Sequence, residues 1–228
     1  MKTSTRVIGL VAVALVLAGT APAAVYTYTE TYNSGFSNGG VIPDGNPTGW
    51  WDTRNFSSFS GGGWQISDVN VTFTTSGGHN GDLRAYLTHN GVLVPLLNRV
   101  GTGLGDEPQY SFGFSTSGFT NVRLDDAATT SIHDVENPVA YEAPAYTSYK
   151  PDGGTLASFT GNPNGNWTIF FADLSGGDST SSTLGSWSLE ITAVPEPVNV
   201  ALVVFAVLAG GIKLARWCRR SARTLPAI

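Results

Sequence analysis

From Ile66 to Thr75 the chain alternates, with Val69, Val71 and Phe73 falling on one side and Asp68, Asn70 and Thr72 on the other. A period of two over that length predicts a strand with one buried face. The pattern returns at Leu83, Ala85 and Leu87, interleaved with Arg84, Tyr86 and Thr88, and Asn90-Gly91 then leads into Val92–Leu97. Asn-Gly supplies the positive φ angles of a tight two-residue turn, so these two runs predict a hairpin. Asn162-Pro163-Asn164-Gly165-Asn166 is a turn cluster, and after it Trp167, Ile169 and Phe171 share a face while Phe170 lies on the other. Apolar residues on both faces predict a central strand. Ser186–Thr192 alternates cleanly, with Trp187, Leu189 and Ile191 in and Ser188, Glu190 and Thr192 out.

No apolar pattern of helical period runs through 25–193, which is rich in Gly, Ser, Thr and Asn. Short strands separated by turn signals predict an all-β domain, a jelly-roll-like β-sandwich. The stretches 57–63 and 176–183 have the composition of loops.

The ends differ from the middle. Lys2 and Arg6 precede an apolar run from Val7 to Ala18, followed by Gly19-Thr20-Ala21-Pro22-Ala23. This predicts a secretory signal helix over 1–23, cleaved after Ala23, with Ala21 and Ala23 as the small residues read by signal peptidase after Sec export. At the other end Val194-Pro195-Glu196-Pro197 leads into the apolar segment 198–212 and then Lys213, Arg216, Arg219, Arg220 and Arg223. Because lysine and arginine snorkel along their stems, the apolar span extends to about Trp217, which predicts a transmembrane helix over about 198–217 with the basic end inside. The expected organisation is a signal at 1–23, an arm or first strand at 24–40, a sandwich at 41–193 and a tail at 194–223.

All 17 acidic residues lie between Glu30 and Glu196, against five basic ones there, Arg54, Arg84, Arg99, Arg123 and Lys150, a net charge of −12 for the exported part. Such a surface disfavours nucleic acid and anionic lipid, and suits cations or neutral polysaccharide. Cys218 is the single cysteine. With no disulfide to staple it, the domain must hold by its core or by a metal.

Calcium takes six to eight oxygen ligands from carboxylates and carbonyls on loops. Asp82 directly before a strand, the pair Asp125-Asp126, and Asp173 at a strand end are the candidate Ca2+ ligands; the other reading of each is a turn cap on nearby N–H groups. Asp178, in a Gly-rich loop, is expected to be a turn cap. Trp50 and Trp51 follow Pro47-Thr48-Gly49 and either stack on sugar rings or pack across an open sheet edge. His79 and His89 sit beside turn residues and are expected to be exposed, and His133 stands next to Asp134. The chain has no GxSxG elbow and no HExxH motif, and no serine is paired by sequence with a base and an orienting acid, so no catalytic residue is assigned. Gly101, Gly103 and Gly105 lack the lysine and strand-to-helix context of a phosphate loop.

Two resemblances add to this. The tail, with Pro195, Glu196 and Pro197, an apolar helix and an arginine-rich end, resembles the PEP-CTERM sorting signal, apart from Asn199 within the apolar segment. This implies an exosortase as processing partner in the envelope of an exopolysaccharide-producing, Gram-negative-type bacterium. The middle resembles the P/Homo B domain through 66–71 (Ile-Ser-Asp-Val-Asn-Val), Gly81-Asp82-Leu83 with Tyr86-Leu87, Leu96-Leu97-Asn98-Arg99 and Leu124-Asp125-Asp126-Ala127-Ala128. Further pieces are Phe159-Thr160-Gly161, 163–168, Asp173 and 184–189, so that the likeness spans about 41–192. It implies a β-sandwich of the kind appended to kexin- and furin-like proteases, whose catalysis resides in a separate subtilisin-type domain that these residues do not match. The expected function is a surface-sorted, non-enzymatic binding or structural module in the envelope or exopolysaccharide matrix. Alternatives are an accessory domain for a secreted subtilisin-type peptidase and a carbohydrate-binding module.

Overall fold

The computed structural model describes residues 24–104, 112–196, 205 and 207–213. Among these residues nine strands follow in chain order: β1 (Tyr26–Tyr32), β2 (Asn46–Phe56), β3 (Trp64–Ser76), β4 (Leu83–His89), β5 (Val92–Asn98), β6 (Val122–Leu124), β7 (Ser148–Tyr149), β8 (Gly165–Asp173) and β9 (Thr183–Pro195). They form a five-stranded sheet in the order β1-β9-β3-β6-β7 and a four-stranded sheet in the order β2-β8-β4-β5. All pairings are antiparallel except β6 with β7.

The expected inward residues are the ones that meet. Val69, Val71, Phe73, Trp187, Leu189 and Ile191 from one sheet, and Leu83, Ala85, Leu87, Trp167, Ile169 and Phe171 from the other, are all at most 1% exposed. Phe73 and Phe171 touch edge to face across the sheets, centroids 5.7 Å apart. Burying one such phenylalanine stabilises the fold by about 1.5–3 kcal/mol. β8 is central, as its two apolar faces predicted.

Two irregularities break the simple alternation. The register of β3 against β9 shifts between Ile66 and Asp68, so that Trp64 and Ile66 pack against the same core as Val69 in spite of their opposite parity. On β9 the extra residue is Gly185, which puts both Leu184 and Trp187 inside. A bulge inserts one residue and reverses the facing of what lies beyond it.

Polar residues also enter the core. The carboxylate of Asp52 on β2 accepts from Trp187 Nε1 of the other sheet at 2.8 Å and from Arg54 Nε at 2.7 Å. Ala21, Ala23, Pro197 and most of the span 198–217 lie outside the described residues. Among those described, no helix is long and apolar enough to cross a membrane.

Candidate functional site

The outer face of the four-stranded sheet is built by the residues that alternate with its core. Trp51 on β2 stands opposite Phe170 on β8, Phe170 opposite Tyr86 on β4, and Tyr86 opposite Pro95 on β5. Four ring side chains thus form one row across the sheet, at the strand spacing of about 4.8 Å, comparable to the width of a pyranose ring. Tyr86 and Phe170 have centroids 5.8 Å apart with planes tilted by 32°, and Trp51 at the edge is 57% exposed. The next row is Thr53, Thr168, Thr88 and Leu93, where Thr53 Oγ1 and Thr168 Oγ1 share a 2.8 Å hydrogen bond. Neither row contains a charge. Arg84, one row beyond Tyr86 and opposite Ala172 and Asn98, is the adjacent cation.

Gly49 makes this surface possible. Its φ is +66°, and a Cβ there would lie 2.4 Å from the Phe171 carbonyl oxygen and 2.5 Å from Phe170 Cζ. At the other end of the row, the loop at Gly153-Gly154 passes over Pro95, and a Cβ on Gly154 would fall 2.7 Å from the Pro95 carbonyl. That loop is held by Asp152, which accepts from the N–H of Asn98 at 3.1 Å and meets His133 Nδ1 at 2.7 Å. Burial pulls the His133 imidazole down, but its bonds to Asp152 and the Thr102 carbonyl, with the charges of Asp152 and Asp134, hold it above its ordinary value. Chemically the face offers π surfaces and hydroxyls in parallel rows, which suits sugar rings: apolar faces stack on the aromatics while peripheral hydroxyls bond.

The expected site residues distribute as follows. The two adjacent tryptophans do not act together, because consecutive strand residues point to opposite faces. Trp50 is 5% exposed, donates from Nε1 to the Ser37 carbonyl at 2.9 Å and packs on Phe36, leaving Trp51 alone outside. The candidate calcium ligands separate into two places. Asp125 accepts from the N–H of Ala127 at 2.7 Å, and Asp126 accepts from the N–H groups of Leu156 and Ala157, so this pair caps turns. Asp82 and Asp173 lie together at one end of the four-stranded sheet, joined there by Asp44 and by Asp178, whose carboxylate also accepts from the His79 N–H.

His89 is not an exposed turn residue. β4 runs through it with the same inward parity as Leu87, and its ring is 2% exposed and stacks flat on Trp167 at 3.9 Å. His79 is exposed as expected, and its Nδ1 contacts Asp178 at 3.1 Å. Pro195 closes β9 opposite Trp64, and Glu196 accepts from Gln65 Nε2 at 2.8 Å. Phe170 and Tyr86, which complete the row with Trp51, were not singled out from the sequence. The signal was the second apolar face of β8, read only as a mark of centrality.

No family model matches the chain, and no curated protein matches it. Among solved structures, it is similar to the complex of the Aeromonas sobria serine protease with the chaperone, at 15% identity and a TM-score of 0.48, over 75% of this chain and 27% of that one. It is also similar to the serine protease of Aeromonas sobria, at 12% identity and a TM-score of 0.43, over 74% and 27%. The chain thus spans 27% of the length of each of these proteins. No residue of the two rows or of the aspartate cluster is assigned a role through these likenesses.

Proposed function

We propose that the chain is an exported, non-catalytic binding module that holds neutral polysaccharide of the envelope or exopolysaccharide matrix on the outer face of the β2-β8-β4-β5 sheet. The observation that carries this is the register that lines up Trp51, Phe170, Tyr86 and Pro95 beside an uncharged row of threonines. A row of half-buried rings that ends in the exposed Trp51 leaves apolar surface in water, and a glycan chain with apolar ring faces is a ligand that covers it. The net charge of −12 in the exported part favours a neutral polymer over an anionic one.

The test is affinity electrophoresis of the full chain through gels carrying purified neutral exopolysaccharide. Retardation is expected, and Trp51→Ala with Tyr86→Ala should remove it while the melting temperature stays near that of the wild type. Equal retardation of wild type and double variant refutes the face as the site. Capture of a secreted subtilisin-type peptidase by both proteins, without glycan retardation, would instead favour the accessory-domain reading.

In this proposal Pro195, Glu196 and Pro197 are the sorting motif at which an exosortase removes the basic tail. Pro195 ends β9 and the Glu196 N–H after it donates to the Gly63 carbonyl. The two prolines resist helix formation, so Pro195-Glu196 is extended chain at the rim of the sandwich, the form a protease takes. Envelope-released protein should then have an intact mass lacking the residues beyond the motif. A mass that still includes Arg219 and Arg220 would refute the processing.

A further inference from the structure

Three neighbouring strands of the four-stranded sheet bring carboxylates to one end. Asp173 is the last residue of β8, and it stands opposite Leu83, the first residue of β4, and opposite Asn46, the first of β2. Asp82 therefore precedes β4 and Asp44 precedes β2 at the same pole, and the Gly176-Gly177 turn carries Asp178 back onto them. Asp44, Asp173 and Asp178 each present an oxygen within 4.8 Å of the others, and so do Asp82 and Asp178 together with His79 Nδ1. Around a calcium ion with carboxylate oxygens at about 2.4 Å, two ligands on opposite sides are about 4.8 Å apart. The spacing is that of ligands sharing one ion.

A second observation concerns Asp173 itself. It is fully buried, its Oδ1 accepts from the N–H of Ser175 at 3.2 Å, and its Oδ2 has no hydrogen-bond partner among the described residues. A carboxylate oxygen without water or a donor is costly unless something positive meets it. Burial first, then the charges of Asp82, Asp178 and Asp44, push the Asp173 carboxyl up to about 6 against the help of the Ser175 N–H. Asp82 is raised for the same reasons, burial before the charge of Asp178.

Among the described residues little relieves this. Arg99 Nη2 is 3.9 Å from Asp82, and the His79 ring lies 3.6 Å from Asp82 and 3.1 Å from Asp178. Arg99 thus reaches Asp82 and His79 reaches both Asp82 and Asp178, but neither pairs with Asp173 or Asp44. The other carboxylates are already oriented by backbone, since Asp178 accepts from the N–H of His79 and Asp44 from the N–H of Gly177. An open recess of about 370 Å³ lies on the Asp82–Asp178 side of the cluster, lined also by Ser175 and Gly176.

We propose that Asp173, Asp44 and Asp178 bind a calcium ion at this pole of the sandwich, with Asp82 adding its charge from the β4 side. The ion meets the bare oxygen of Asp173 and ties the loops before β2 and β4 to the loop after β8. Oxygen ligands and a loop-built, acidic setting select calcium over zinc, which prefers nitrogen and sulfur donors in a closed tetrahedron. This site is independent of the glycan face.

The test is isothermal titration of the full chain with calcium, magnesium and zinc chlorides, paired with melting curves in EDTA and in calcium at matched ionic strength. Calcium should bind and raise the melting temperature. Asp173→Asn, which keeps the shape and removes a buried charge, should melt at or above the wild-type temperature in EDTA and show no rise in calcium; that pattern separates lost binding from lost folding. Asp178→Asn should weaken calcium by at least about tenfold, whereas Asp125→Asn, at a turn cap elsewhere, should bind as the wild type. The proposal is overturned if wild type melts alike in both conditions, if Asp173→Asn keeps the calcium increment, or if zinc binds in preference and depends on His79 rather than Asp173.

Discussion

On the outer face of the β1-β9-β3-β6-β7 sheet, Thr27 meets Thr192 and Thr29 meets Glu190. Thr31 meets Ser188, which in turn stands opposite Thr72. Arg123 on β6 reaches Glu190 and lies over the Tyr141 ring with its guanidinium carbon 4.5 Å from the centroid. On the opposite side of the molecule the same positions of the alternation carry Trp51, Phe170, Tyr86 and Pro95. On the first face Glu190 is paired, held below the usual carboxylate range by its hydrogen bond to Arg123 in spite of burial. The second has unspent aromatic surface and no charge in either row. The same alternation therefore yields one face of paired polar groups and one of half-buried rings and hydroxyls.

The comparison breaks most visibly at Arg123. Arg123→Ala leaves the partly buried Glu190 without its partner, and about 3 kcal/mol of stability should be lost. Glycan retention by the far face should be unchanged once the variant is kept below its lowered melting temperature. Loss of retention with folding intact would join the two faces.

A smaller effect belongs to Trp51→Ala. Removing the ring takes away a stacking surface of about 80 Å², worth about 2 kcal/mol of binding or about thirtyfold in Kd. Chemical denaturation should show stability within about 0.5 kcal/mol of wild type, as for other exposed positions. A stability loss as large as the binding loss would mean that the ring serves the fold.

Gly49→Ala sharpens the comparison from the backbone. The left-handed φ and the contact with Phe170 should together cost about 1–2 kcal/mol of stability, and the displaced Phe170 should weaken glycan binding although no ring is removed. Gly61→Ala is the control, because its φ is also positive but a Cβ there meets nothing within 4 Å.

The smallest expected effect is on pH dependence. His133 is held above its ordinary 6.5 in the folded state, so its contribution is fully present below pH 6.5 and is lost as pH rises through the raised folded value. Melting curves from pH 6 to 8 should therefore fall in wild type, and fall less in Asp152→Asn, which keeps an acceptor for Asn98 without the charge. Equal slopes would show that the loop over Pro95 is held without the ion pair.

Much of the sandwich could be read in the alternation of 66–75, 83–89, 167–173 and 186–192, because each strand buries one face and the period of two is local. β2 was not legible in the same way: Pro47 and Gly49 read as loop, although Trp50, Asp52 and Phe56 face the core while Trp51, Thr53 and Asn55 face out. The bulges at 67 and 185 reverse parity and depend on the partner strand. The aromatic row was hidden for a related reason, since Trp51, Tyr86 and Phe170 are distant in sequence and only register aligns them. Adjacency at Asp125-Asp126 did not carry over into space, since Asp125 accepts from the nearby Ala127 N–H and Asp126 from the distant Leu156 and Ala157 N–H groups. Asp82 and Asp173 were visible as carboxylates at strand ends; their companions Asp44 and Asp178 depend on which strand starts share a pole.

β1 and β9 lie side by side with Tyr26 opposite Ala193, so the chain enters and leaves the sandwich at one pole. Tension applied between those two points would open the β1-β9 hydrogen bonds one at a time, starting at Tyr26, because the bonds run across the strands and are loaded in sequence. Tension between the Pro195 end and a polymer lying on Trp51 and Tyr86 takes another route, through β9 and across the whole thickness of the core, where many contacts must yield together. A module gripped by its tail and by its outer face would hold under drag, and the same module pulled by its two ends would unzip.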